Sequence, residues 1–243
     1  MKKQVRFIPT TACQLHVREA GEGEEQSRRI EGTPIVFGVR SVNLTPHSDT
    51  REVYEILEPG CITNELLANS DIILNTNHSS KVTDVLGRCL NMNGTLKLSM
   101  RENHIECSCD LPNTNNANDT LELIKRGDIT GMSFAFSDDW EDTENGVSYE
   151  RTNEMHDGKE VWLRHVKRIT GLYDVSIVTY PAYEQTSVAT REQSDEIMRI
   201  IDRQIAGSHP EQHRNDNGGD DAEKREAAKR SYQHRKRQIE INF

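Results

Sequence analysis

The sequence carries one serine on a strand pattern that is able to support chemistry. In Gly127-Asp128-Ile129-Thr130-Gly131-Met132-Ser133-Phe134-Ala135-Phe136, two glycines punctuate a turn that runs into a short apolar strand. Phe134 and Phe136 alternate with a period of two, so Ser133 points away from the phenylalanine face. Two readings stand at this point: a filler between strands, or a nucleophile held on rigid backbone. A serine hydroxyl attacks a carbonyl at neutral pH only when a base within hydrogen-bond reach takes its proton. A second anomaly is Asp174, which interrupts the apolar run Leu172-Tyr173-Asp174-Val175-Ser176-Ile177-Val178. An ionised carboxylate in a buried strand is costly unless it is paired. His78 stands where the strand Asp71-Ile72-Ile73-Leu74 ends in the polar cluster Asn75-Thr76-Asn77-His78-Ser79-Ser80. By itself it reads as a hydrogen-bonded loop residue.

Other reactive types are less well placed. Cys107-x-Cys109 with His104 upstream has the ingredients of a metal cluster, but no second cysteine pair completes a tetrahedral site. A period of two puts both thiols on one strand face, as buried small apolar side chains. The remaining cysteines, Cys13, Cys61 and Cys89, are scattered and do not form a disulfide framework. No metal and no cofactor is expected. His104, His156 and His165 read as structural or surface residues, and Ser176 as a core filler.

The elements that must position these groups fill the middle of the chain. The 243 residues are 34% hydrophobic and 29% charged, which is apolar-poor and predicts a core domain with polar appendages. A net charge of -10 argues against a non-specific nucleic-acid or membrane surface, since both need excess Lys and Arg. The apolar runs fall far short of the ~20 residues of a membrane span. The basic start lacks a signal-peptide hydrophobic stretch, so an intracellular protein is expected. Residues 1–29 hold a strand near Gln4–Ile8 and a polar lead-in. Residues 30–191 form the folded domain, and 192–243 a charged, helical or disordered tail. Within the domain the expected strands include Ile30–Val39, Arg51–Leu57, Asp71–Leu74, a hairpin joining Val85–Leu90 to Leu96–Met100, and His104–Leu111. A helix over Thr120–Arg126 is expected, with Asp119 as N-cap and Gly127 as its stop. Residues 138–160 read as a long excursion or extended hairpin, and Pro181-Ala182-Tyr183 closes the domain. In the tail, Ile197, Ile200, Ile201 and Ile205 have helical spacing, His209–Asp221 is a linker, and Glu223–Gln238 is a solvated mix of charges.

Laid out in this order, the landmarks resemble the prohead (capsid maturation) serine proteases of tailed bacteriophages. The likeness rests on Gly32-Thr33-Pro34-Ile35-Val36-Phe37, on Tyr54-Glu55-Ile56-Leu57-Glu58-Pro59-Gly60, and on Asn77-His78 followed by Leu86-Gly87-Arg88. It also rests on Ile124-Lys125-Arg126-Gly127 leading into the Ser133 strand, then on Tyr173–Val178 and Pro181-Ala182-Tyr183. The resemblance covers roughly residues 28–191. It implies an α+β, mainly β fold similar to herpesvirus assembly proteases, a closed or nearly closed β-barrel flanked by a few helices, with a polar C-terminal extension. It implies Ser133 as nucleophile, His78 as general base and Asp174 as the acid behind it, although relatives often carry glutamate there. Ala135 also departs from a glycine found in many relatives. Arg88 reads either as a substrate-binding residue or as a surface arginine. Triads are defined by geometry and not by chain order, so the order His78, Ser133, Asp174 is allowed.

The implied function is a serine endopeptidase inside the assembling procapsid, in the host cytoplasm. Its partners would be the major capsid protein and scaffold protein, and itself through self-cleavage, with homo-oligomerisation left open. A second reading is a non-catalytic scaffold- or shell-binding module that keeps the protease fold. An unrelated hydrolase fits less well, because no Gly-x-Ser-x-Gly elbow is present.

Overall fold

The computed structural model describes residues 3–7, 10–19, 27–179 and 191–207. The residues around Pro181, the linker at 209–221 and the charged run at 223–238 lie outside the described residues. In chain order the strands are β1 Gln4–Phe7, β2 His16–Val17, β3 Arg29–Val36, β4 Arg51–Leu57, β5 Asp71–Thr76, β6 Val85–Leu90, β7 Asn93–Gly94, β8 Leu96–Met100, β9 His104–Asp110, β10 Gly131–Asp138, β11 Val147–His156, β12 Lys159–Val166 and β13 Ile169–Val178. The helices are α1 Thr10–Cys13, α2 Asn64–Ala68, α3 Asn115–Arg126 and α4 Arg191–Gly207. Among the described residues no helix is long and apolar enough to cross a membrane.

The architecture is mainly β with few helices, and the strands among the described residues fall into three sheets. The largest has the order β1-β10-β13-β5-β6-β7, the second β2-β3-β9-β8 and the third β11-β12-β4. The expected closed or nearly closed barrel is therefore not what forms. Val85–Leu90 and Leu96–Met100 also do not pair as one hairpin. β6 pairs with β5 and with the two-residue β7, whereas β8 pairs with β9 in the other sheet. The chain changes sheets between Gly94 and Leu96: Leu96 and Leu98 pair with Cys109 and Cys107 of β9 and are buried there, and β7 ends after two residues.

One face of the six-stranded sheet packs against the second sheet, and the large sheet is joined to the third by the Arg6–Glu55 and Arg164–Asp138 ion pairs. Met132, Phe134 and Phe136 from β10, Val175 and Ile177 from β13, and Ile72 and Leu74 from β5 share that face and are buried. The two sheets meet where glycines make room. A Cβ at Gly32 on β3 would lie 2.8 Å from Met132 Sδ, and one at Gly87 on β6 would lie 2.5 Å from Cys109 Sγ. The thioether can swing aside, but the short cysteine side chain has no such freedom. Gly87→Ala is expected to cost about 1–3 kcal/mol through overpacking. Part of that cost should return in the double variant with Cys109→Ala, read from a denaturant-unfolding cycle; strict additivity would contradict the contact.

The local boundaries follow capping chemistry. α3 begins earlier than expected: Thr114, in extended conformation, caps it by accepting the Ala117 amide, while Asp119 lies inside the helix. Its buried side is Ala117, Thr120, Leu121 and Ile124. Gly127 ends it as expected, at a φ of 79° that glycine adopts without a Cβ clash. The acidic stretch after Asp138 becomes the β11–β12 hairpin, turned at Asp157-Gly158, where both φ values are positive. In α4, Ile197 and Ile201 are buried, and the Ser194 hydroxyl donates to the Leu44 carbonyl.

Candidate active site

Ser133 lies in the middle of β10, the most completely buried strand of the sheet. Alternation turns Phe134 and Phe136 inward, where their rings stack with centroids 5.2 Å apart, and turns Ser133 to the opposite face. β10 runs between β1 and β13, with Ser133 across from Phe7 on one side and from Ser176 on the other. Two strands therefore hold the serine backbone, and its side chain is fully buried.

His78 reaches the same face from a different direction. β5 lies parallel to β13 and ends at Thr76. Asn77 and His78 then take left-handed backbone angles, with φ of 49° and 54°. Such residues cost on the order of 1–3 kcal/mol and persist where the surroundings hold them. Here the Asn77 amide donates to the Ile177 carbonyl at 2.9 Å, and the Thr179 amide donates to Asn77 Oδ1 at 3.2 Å. The His78 amide donates to Ser176 Oγ at 3.0 Å. The sharp turn folds the imidazole back over the sheet. Its Nε2 lies 2.6 Å from Ser133 Oγ and its Nδ1 2.5 Å from Asp174 Oδ1.

Asp174 resolves the cost of a carboxylate in a buried strand by having partners on both oxygens. His78 takes Oδ1, and Lys3 Nζ stands 2.6 Å from Oδ2. Burial works to raise the carboxyl's pKa, but the hydrogen bonds from His78 and Lys3 outweigh it and hold the group below the usual carboxylate range. A depressed folded-state pKa contributes stability above the unfolded value near ~3.9 and loses it as pH falls through the folded value. Wild type should therefore lose melting temperature more steeply than Asp174→Asn between about pH 5 and about pH 2. Parallel pH curves for the two proteins would contradict that linkage.

Ser176, read from sequence as a filler, belongs to this group. Its hydroxyl is bonded to Asn75 Oδ1, accepts the His78 amide and lies 3.2 Å from His78 Nδ1. The available signal was its spacing, two residues from Asp174 and so on the same strand face. Asn75, Asn77 and Lys3 carry no local signal of these contacts, because the partners Ser176, Thr179 and Asp174 are remote in sequence.

The structure does not bring Arg88 into this group. Arg88 pairs with Ile73, which pairs with Asp174, so it stands on the same face two strands out. Its guanidinium forks onto Asp71. The thiols of Cys107 and Cys109 are buried on the inner side of β9, and His104 is on the other face beside Glu106. Burial pushes the Cys109 thiol up to about 11. His156 and His165 pair with Glu52 and Glu58 on the third sheet.

A hydroxyl, an imidazole and a carboxylate in line form the geometry that general-base activation of serine requires. A neutral imidazole donating Nδ1–H to Asp174 presents its Nε2 lone pair to the Ser133 hydroxyl. On comparison with known proteins, no curated protein matches this chain. Among solved structures it is similar to "Structure of the bacteriophage T4 capsid assembly protease, gp21", with a TM-score of 0.38 and 10% identity, covering 71% of this chain and 96% of that one. A family model described as caudovirus prohead serine protease matches residues 13–200. That match takes in most of the chain, including all three residues of the hydrogen-bonded line, and the protein belongs to the caudovirus prohead serine proteases.

Proposed function

We propose that the chain is a serine endopeptidase of phage head maturation with Ser133 as nucleophile, His78 as general base and Asp174 as the residue that orients it. The supporting observation is the single imidazole bridging Ser133 Oγ at 2.6 Å and Asp174 Oδ1 at 2.5 Å. In this mechanism His78 Nε2 takes the Ser133 proton as Oγ attacks the scissile carbonyl, giving a tetrahedral intermediate. The imidazolium is stabilised by the ionised Asp174 and then protonates the leaving amine. The acyl-enzyme is hydrolysed by water activated in the same way. Ser176 and the Asn77–Thr179 contacts keep the ring from turning away.

The substrates are scaffold protein or a scaffold-like region of the major capsid protein, together with the enzyme itself, cut within the assembling procapsid. The non-catalytic reading draws on one observation, the complete burial of Ser133. The two are separated by co-expressing the chain with its neighbouring capsid and scaffold proteins and following intact masses. Wild type should truncate its partners or itself, and Ser133→Ala should leave every product at full length. Identical mass profiles from the two would overturn the protease reading.

A further inference from the structure

Ser133 is covered by a piece of its own chain. Among the described residues β1 is an edge strand of the six-stranded sheet and lies antiparallel on β10, with Arg6 across from Phe134 and Phe7 across from Ser133. The Ser133 hydroxyl donates to the Arg6 carbonyl at 2.8 Å. It has a single proton, so this carbonyl competes with His78 Nε2 for the bond that general-base catalysis needs. On the same face, Lys3 takes the second oxygen of Asp174. β1 therefore touches both ends of the Ser133–His78–Asp174 line.

On the other face β1 is held by charge. Arg6 forks onto Glu55, with Nε 2.7 Å from Oε1 and Nη2 2.8 Å from Oε2. Gln4 Nε2 donates to Asp138 Oδ2 at 2.8 Å. Glu55 and Asp138 are each 2% exposed, and Arg164 bonds both. Without Arg6 this buried group would hold two carboxylates against one guanidinium. Asp138 Oδ1 is already buried without a hydrogen-bond partner among the described residues. Stripped of β1, the β10 edge leaves unpaired backbone groups beside the serine and a buried negative charge that calls for a cation. An extended peptide with arginine or lysine in the Arg6 position answers both needs.

Resting on the reading of Ser133 as nucleophile, we infer that β1 is an exchangeable internal occupant of the substrate strand's place on β10. The substrates it gives way to are extended peptides whose basic side chain pairs with Glu55. No bond is made or broken in the exchange.

The test uses the full chain, a fluorophosphonate that labels reactive serines, and a peptide of residues 2–9 with its Arg6→Glu counterpart. In Lys3→Ala/Arg6→Ala, labelling mapped to Ser133 should rise roughly tenfold or more over wild type, as the covered state loses population. The native peptide should suppress that labelling far better than the Arg6→Glu peptide, and adding Glu55→Gln should erase the difference. Equal labelling of wild type and variant, or equal suppression by the two peptides, would overturn the inference and leave the protease reading intact. If the double variant does not fold, Val5→Cys/Ala135→Cys serves, since these positions face each other across the two strands. Its oxidised, cross-linked form should resist labelling and its reduced form accept it; equal labelling of the two forms overturns the inference. No labelling of any folded form would remove the protease reading, and this inference with it.

Discussion

Ser133→Ala and His78→Ala are each expected to abolish peptide-bond hydrolysis, by on the order of 10⁶-fold in kcat, and the double variant should be no worse than either. On the proposed mechanism the two residues act as one device. The hydroxyl 2.6 Å from Nε2 is not a nucleophile without the base, and the base has no proton to move without the hydroxyl. Asp174→Ala should be milder, at about 10⁴-fold, because the His78 backbone would keep its place through its N–H donated to Ser176 Oγ while the imidazole loses its oriented tautomer. Single-turnover rates on a scaffold-derived peptide would measure all four proteins. Additive losses from Ser133→Ala and His78→Ala would contradict a shared proton-transfer step.

Arg164→Leu should be the most destabilising substitution outside the site. Arg164 is buried on β12, and its guanidinium bonds Glu55 on β4, Asp138 on β10 and the Tyr149 hydroxyl on β11. Burial opposes the charge on Glu55, yet Arg6 and Arg164 hold its carboxyl below the usual range. Removing one partner from such a group leaves an uncompensated buried charge, at about 3–5 kcal/mol. For a domain of this size each kcal/mol shifts the melting temperature by about 2–4 °C, so a loss of roughly 10 °C is expected. Replacing Arg164, Glu55 and Asp138 together by apolar residues of similar volume should recover part of it, since neither buried carboxylate is then stranded and Arg6 alone loses its partner. Calorimetry on the single and triple variants checks both halves. A triple variant less stable than Arg164→Leu would show that the ion group contributes net stability.

The candidate site residues were legible as types in context. Period-two alternation put Ser133 on the face away from Phe134 and Phe136, and a carboxylate within an apolar strand marked Asp174 as paired. The strand-end position of His78 also carried over, since β5 stops at Thr76 and releases the chain into a turn. These features are local, set by pleat and by the cost of burying charge. The sequence likewise marked Gly127 as the stop of α3, because a helix end needs a residue tolerant of positive φ.

Pairing across sheets was not legible, because a strand's pattern states which face is buried and not against what. From sequence, Leu96 and Leu98 read as part of the return arm of a hairpin with β6, whereas they belong to another sheet. Tertiary packing made that choice, and the sheets did not close into one barrel. Ser176 looked like a filler because its polarity is used by His78, 98 residues away in sequence. The same holds for β1. Gln4–Phe7 announces a strand, but only the tertiary structure laid it on β10, where its backbone covers Ser133 and its cations meet Asp174 and Glu55. Local sequence determined the three candidate groups and the faces they occupy; long-range strand pairing decided their alignment and what lies over them.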